Sequence, residues 1–121
     1  MVIQRFEDLD CWKAARELVK MVYSMTRDEP FLKDFGLRDQ VRRSAISVMA
    51  NITEGFATRS NAEFIRFLDF STRSAFEVQS HLYIALDVEY VGQDDFKIVF
   101  DKAQDCANLC RGFIRYLKNE T

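Results

Sequence analysis

One stretch near the end of the chain constrains the fold more than any other. Phe96, Val99, Ala103, Cys106, Cys110, Phe113 and Leu117 recur at alternating steps of three and four without a break. On a helix of 3.6 residues per turn, that spacing puts all seven on one side, the seam of a helical bundle. The helix should start near Asp94. The rest of the chain supplies three partners for it. Phe6, Leu9, Trp12, Ala15, Val19 and Val22 keep the same period and predict a first helix from about Asp8 to Arg27, with Asp8 as its N-cap. The segment Asp28-Glu-Pro-Phe-Leu-Lys-Asp-Phe-Gly36 then interrupts the pattern, because Pro30 forbids a continuing helix and Gly36 punctuates it.

A second helix is expected from about Leu37 to Glu54, with Leu37, Val41, Ser44 or Ala45, Val48 and Ile52 as its buried stripe. Gly55 is placed to end it, since glycine tolerates the left-handed backbone that helix ends often need. The third helix opens on Ser60-Asn-Ala-Glu63, a capping box in which the Ser60 hydroxyl accepts from the Glu63 amide and the Glu63 carboxylate reaches back. Phe64, Phe67, Leu68, Ser71, Ala75, Val78, Leu82 and Ala85 carry its stripe to about Val88, a length of roughly 40 Å.

Composition agrees. An all-β chain of 121 residues would need far more turn residues than one Pro and four Gly. Hydrophobic residues make up 48%, with eleven Phe, enough for one core at a common domain length. The expectation is an all-α fold, an antiparallel up-down four-helix bundle in which residues 1–121 form a single domain. Seven large residues fall off the seams: Ile65, Phe70, Phe76, Tyr83, Ile84, Phe100 and Tyr116. A lone four-helix bundle does not need so many, so either the helices are buried on more than one side or a subunit interface covers them, and the interface is favoured.

Candidates for chemistry are few. Cys106 and Cys110 stand at i, i+4, but both lie on the seam and read as small core residues. Glu77 and His81 share that spacing, yet His81 is the one histidine and no Glu-x-x-His occurs, so no metal set is expected. Ser44, Ser47, Ser71 and Ser74 sit at seam-like positions, without the glycine-framed turn or neighbouring base that a nucleophile needs. Asn51 and Glu54, near the end of the second helix, read as parts of a structural polar network. No catalytic, cofactor or metal residue is expected, and the chain does not read as an enzyme.

The arginines remain. The net charge is −2, but its distribution is uneven: residues 36–75 hold 6 basic and 4 acidic side chains, and all six are Arg; residues 76–121 hold 5 basic and 8 acidic. Arginine is preferred over lysine where a planar fork meets phosphate or carboxylate. Arg66 and Arg73 are seven apart on one helix face, Arg59 extends that line, and Arg42 and Arg43 sit on the second helix. Glu63, Asp69 and Glu77 stand at pairing distance from some of them. In a symmetric ring each arginine is multiplied by the number of subunits, and a weak patch becomes a band suited to a phosphate backbone. Three cysteines in no spaced framework, with no signal-peptide pattern, lead to a cytoplasmic expectation. No apolar run approaches the roughly 20 residues of a membrane span.

Several motifs, in order, carry a resemblance over nearly the whole chain. They are Phe6-Glu-Asp-Leu-Asp-Cys-Trp-Lys-Ala, Gly36-Leu-Arg-Asp-Gln-Val-Arg-Arg-Ser-Ala, Asn51-Ile-Thr-Glu-Gly55, Arg59-Ser60, Glu63-Phe64, Phe67-Leu68 and the stretch from Ser74 to Glu77. The chain resembles the four-helix-bundle proteins encoded within intervening sequences of bacterial large-subunit ribosomal RNA genes. It is also similar to the accessory variability determinant proteins of diversity-generating retroelements. It departs from the pattern twice: Ser47-Val-Met-Ala-Asn51 lacks the proline often found there, and Arg73-Ser74 replaces a frequent Gly-Ser. The resemblance implies a bacterial cytoplasmic protein that assembles as a homopentamer and has no known enzymatic activity. In the retroelement branch it implies nucleic acid and a reverse transcriptase as partners. The functional expectation is an oligomeric bundle that binds RNA or DNA, structured RNA foremost, through Arg42, Arg43, Arg59, Arg66 and Arg73. The alternative is a protein–protein scaffold without nucleic-acid binding.

Overall fold

The computed structural model describes residues 3–120. Four helices account for most of them: α1 Asp10–Met25, α2 Phe35–Ala57, α3 Asn61–Asp87 and α4 Gln93–Asn119. Single 3₁₀ turns at Phe6–Asp8 and Phe31–Lys33 precede α1 and α2, and the described residues include no strand. Each helix packs on the next, and α1 closes the circuit against α4. Residue numbers pair in opposite directions across each contact. Between α2 and α3, Gly55 lies against Phe64, Val48 meets Ser71 and Ser47 meets Ser74. Between α3 and α4, Phe64 meets Phe113, Gln79 meets Phe100 and Tyr83 meets Phe96. Phe6 against Phe56 and Thr26 against Arg42 do the same for the first two helices. Such pairing is that of antiparallel neighbours.

The core follows the seams read from the period, with Leu18 and Cys11 added on α1, Phe31 from the turn before α2 and Ala107 on α4, while Phe67 of the α3 stripe lies outside it. Val41, Ala45, Val48 and Ile52 on α2, Leu68, Ala75, Val78 and Leu82 on α3, and Ala103, Cys106 and Cys110 on α4 are all fully buried. The off-seam residues divide. Ile65, Phe76 and Phe100 are half-buried against this same core, so burial on a second side of the helices, the less favoured alternative, accounts for part of the set. Tyr83, Ile84 and Tyr116 stay exposed.

The helix ends differ from expectation in instructive ways. Asp8 does not cap α1: it lies in the preceding turn, and Leu9 occupies the cap with no side-chain hydrogen bond. The helix also stops at Met25, before Arg27, where the Thr26 hydroxyl turns back onto the Val22 carbonyl at 2.8 Å. Asp34 caps α2, accepting from the Leu37 amide at 3.1 Å, and Gly36 falls inside the first turn of the helix. Half of the Ser60 capping box forms. The Ser60 hydroxyl accepts from the Glu63 amide at 3.3 Å, while the Glu63 carboxylate is drawn outward to Arg66.

Gly55 does not end α2. The helix runs on to Ala57, and Gly55 is buried within it, with no positive φ. A Cβ built there would stand 2.7 Å from Phe64 Cδ1 and 2.9 Å from Phe67 Cβ. Glycine is present because α3 passes too close for any side chain. The left-handed position belongs instead to Glu89, at φ 66, just past the Val88 cap of α3. There the Tyr90 amide donates to Ala85 O at 2.8 Å and the Glu89 amide to Leu86 O at 3.1 Å, the two closing bonds of a Schellman motif.

Candidate nucleic-acid interface

The α2–α3 contact positions the candidate residues. Ser71 Oγ donates to the Val48 carbonyl at 2.8 Å, and the Ser47 and Ser74 hydroxyls share a hydrogen bond of 2.9 Å. Asn51 Nδ2 donates to Ser47 O and Ser47 Oγ at 2.9 and 3.0 Å. Asn51 is thus part of a half-buried polar ladder between the two helices, as the sequence suggested, placed along the contact. Glu54 is exposed. The turn itself is closed by Thr58, whose hydroxyl donates to the Gly55 carbonyl at 2.7 Å.

The structure does not gather the five arginines into one surface. Arg42 faces α1. Its Nε donates to Thr26 Oγ1 at 2.8 Å, its Nη2 to the Thr26 carbonyl at 3.3 Å, and its guanidinium lies 4.4 Å from the centre of the Tyr23 ring. It ties the C-terminal end of α1 to α2. Arg43 is exposed beside it, at the edge of an open cavity of about 270 Å³ shared with Tyr23, Asp39, Arg42 and Ile46. The local field there is positive. The Arg38 hydrogen bond, then the charges of Arg38, Arg42 and Arg43, hold the Asp39 carboxyl below its usual range.

The other three lie along the start of α3. Arg59 is exposed in the turn, with no hydrogen bond or ion pair among the described residues. Arg66 pairs with Glu63 at 2.9 Å, and its guanidinium sits 5.1 Å from the Phe67 ring and 5.3 Å from the Phe70 ring. Arg73 pairs with Asp69 at 2.9 Å and lies 5.9 Å from the other side of Phe70 along the helix. Phe67 and Phe70 meet edge to face at 5.9 Å. Sequence reasoning missed this alternation of arginine and aromatic. Its signal was present in Arg66-Phe67 and Phe70 followed by Arg73, at i, i+1, i+4 and i+7. Arg111 on α4, 4.8 Å from the Phe76 ring, was not a candidate and extends the same chemistry.

Among the described residues no three His, Cys, Asp or Glu side chains converge as a metal-binding set. His81 Nε2 is hidden from solvent without a hydrogen bond, 3.9 Å from Glu77. No helix of the described residues is long and apolar enough to cross a membrane.

A family profile described as 23S rRNA-intervening sequence protein matches residues 7–112. The chain belongs to that family. The match runs from the turn before α1 to the last third of α4, so it takes in every residue of the arginine and aromatic ladder on α3. A crystal structure of a protein of unknown function from the S23 ribosomal protein family of Bacteroides thetaiotaomicron VPI-5482 superimposes with a TM-score of 0.79. It is 23% identical, and the alignment covers 86% of this chain and 97% of that one. At that identity the likeness establishes the family's helical fold and nothing finer. No curated protein matches the chain.

Proposed function

We propose that this intervening-sequence family protein is a non-catalytic bundle that assembles with copies of itself and binds nucleic acid, structured RNA foremost. The observation that carries the reading is the ladder on α3, in which the exposed Arg66 and Arg73 flank the half-buried Phe70. Guanidinium planes and aromatic rings are the surfaces on which unpaired bases stack, and the same guanidiniums meet phosphate. Arg43 and Arg59 add open charge at either end of the α2–α3 pair. Arg42 contributes field more than contact, since its Nε and Nη2 are engaged by Thr26. The carboxylates of Glu63 and Asp69 do not close the site, because exposed ion pairs of this kind are worth about 0–1 kcal/mol and exchange readily for phosphate.

The test is fluorescence anisotropy with a hairpin RNA and a single-stranded RNA, from about 50 to about 200 mM salt. Affinity should fall steeply over that range, and the double variant R66A/R73A should weaken binding to both RNAs. Absence of binding at the lowest salt overturns the reading. Assembly is tested separately by light scattering. A pentamer of 14.2 kDa subunits, five times that mass, has about 71 kDa, and a 14.2 kDa species refutes self-association.

A second reading has its own observation. Tyr83, Ile84, Val88 and Ile98 are all about half exposed or more, and Tyr83 stacks with Phe96 and Phe100 at 5.1 and 5.6 Å across α3 and α4. Exposed apolar side chains of this kind, with Tyr83 in the α3–α4 groove, favour a protein partner, whether another copy or a different chain such as a reverse transcriptase. A stable complex with such a protein in the absence of RNA, unaffected by R66A/R73A, supports the scaffold over the first reading.

A further inference from the structure

Asn51 is held in one orientation and offers one free atom. Its Nδ2 donates to the Ser47 carbonyl at 2.9 Å and to Ser47 Oγ at 3.0 Å. A carbonyl oxygen only accepts, so this contact fixes which end of the amide is the nitrogen. Ser47 is fixed in turn by the 2.9 Å hydrogen bond that its hydroxyl shares with Ser74 on α3. The amide oxygen, on the side away from Ser47, accepts no hydrogen bond among the described residues. The atoms buried there without a partner are Trp12 Nε1 and His81 Nε2, so Asn51 Oδ1 is open to solvent. Ser47 against Ser74 and Gly55 against Phe67 bracket this point of the α2–α3 contact. Asn51, midway between Ser47 and Gly55, therefore stands opposite Phe70, the ring flanked by the Arg66 and Arg73 guanidiniums at 5.3 and 5.9 Å.

We propose that Asn51 reads the edge of an unpaired base stacked on Phe70. Its Oδ1 accepts a hydrogen bond from the exocyclic amino group of adenine, cytosine or guanine, and the site selects against uracil. This inference rests on the nucleic-acid reading and names what the α3 ladder distinguishes in its ligand. Stacking and phosphate contacts hold every base in much the same way. An oriented acceptor beside the stacking ring does not. Asn51 is half-buried, where water competes less for that acceptor than on an open surface.

The engaged nitrogen decides what is read. A free asparagine pairs with adenine through both ends of its amide, donating to N7 and accepting from N6. With Nδ2 held by Ser47, only the accepting half remains, so the group recognised is the amino group and not the N6 and N7 pair. Uracil presents the carbonyl O4 where cytosine presents its N4 amino group, and two facing acceptors form no hydrogen bond. Ser47 and Ser74 are positioning residues. They orient the amide from both helices and leave the base to Asn51 and Phe70.

The experiment measures fluorescence anisotropy of a short oligouridine carrying one central test nucleotide, at low salt. Adenosine should bind about three- to tenfold more tightly than purine riboside, which lacks only the amino group, since that is the worth of one hydrogen bond. Cytidine should exceed uridine by a similar factor. Deazaadenosine lacking N7 should bind as adenosine does, because N7 is not read. N51A should lose these differences while keeping the salt dependence set by the arginines. If circular dichroism shows that variant unfolded, the base series on the wild-type protein decides. Purine riboside that binds as tightly as adenosine, or a loss on removing N7 equal to that on removing the amino group, overturns the inference and leaves the nucleic-acid reading standing. Failure of every oligonucleotide and hairpin to bind at low salt overturns both.

Discussion

Replacing Gly55 with alanine sets two well-known effects against each other, and the structure decides the sign. Gly55 lies inside α2, two residues from its end. Helix propensity alone says that alanine there gains about 0.5–1 kcal/mol. The new methyl group, however, meets Phe64 Cδ1 at 2.7 Å and Phe67 Cβ at 2.9 Å. The first contact is with a ring that is 5% exposed and wedged between Phe56 and Phe113, at 6.3 and 5.1 Å. The second is with an atom fixed to the α3 backbone, which no rotamer change moves. Relief requires α2 and α3 to separate, and overpacking of this kind costs about 1–3 kcal/mol. The net expectation is a loss of about 1–2 kcal/mol, or about 4–8 °C in Tm for a domain of this size.

Gly112 supplies the control. It sits in the interior of α4, where a Cβ meets nothing closer than the tip of Arg115, at 3.7 Å. G112A should gain the propensity term and raise the Tm by a few degrees. Thermal unfolding followed by circular dichroism at 222 nm, at matched protein concentration, measures both. The informative quantity is the opposition of sign. If G55A raises the Tm as G112A does, the close approach of α3 is not what keeps glycine at position 55.

Other changes follow from the same geometry. R42A should lose about 1.5–3 kcal/mol in urea unfolding, because it leaves the buried Thr26 without two charged donors, whereas R43A should stay within about 0.5 kcal/mol. E89G should raise stability by about 1 kcal/mol, since it relieves a side chain held at φ 66 in the Schellman turn. Folding raises the pKa of the Cys106 thiol from 9.0 to about 12 and that of Tyr90, bonded to Asp34, above 10.0. The folded chain thus holds more protons than the unfolded one at alkaline pH. Stability that is full below about pH 9 should fall as pH rises toward 12, and less steeply in C106A.

The fold was legible because each seam is long. Seven residues at steps of three and four on α4 admit one reading, and every one of them lies in or against the core. Local punctuation was less legible because it depends on what lies across the turn. Gly55 looked like a helix stop, yet its sequence neighbours do not reveal that Phe64 and Phe67 return against it. Asp8 looked like a cap, but a 3₁₀ turn moved the helix start beyond it. The arginines were visible as residue types while their partners were not. Nothing local to Arg42 announces Thr26, sixteen residues away, whereas the Arg66–Glu63 and Arg73–Asp69 pairs follow from spacing along one helix.

Those two pairs lead to a final prediction about assembly. On the outer face of α3, Arg66 and Arg73 stand among Glu63, Asp69 and Glu77, so a single subunit offers no net positive charge there. Binding by one subunit could release counterions at four contacts at most, from Arg43, Arg59, Arg66 and Arg73. For a single-stranded RNA this limits the slope of log K against log salt to about −3. Several subunits engaging one RNA add their contacts, and the slope must become steeper than that limit. The measurement is a salt titration at protein concentrations above and below the assembly transition seen by light scattering. A slope beyond about −3 in the assembled state that relaxes on dilution places the arginines of neighbouring subunits on one RNA. An unchanged shallow slope means that each bundle binds alone, and that multiplication around a ring is not what makes this modest arginine ladder effective.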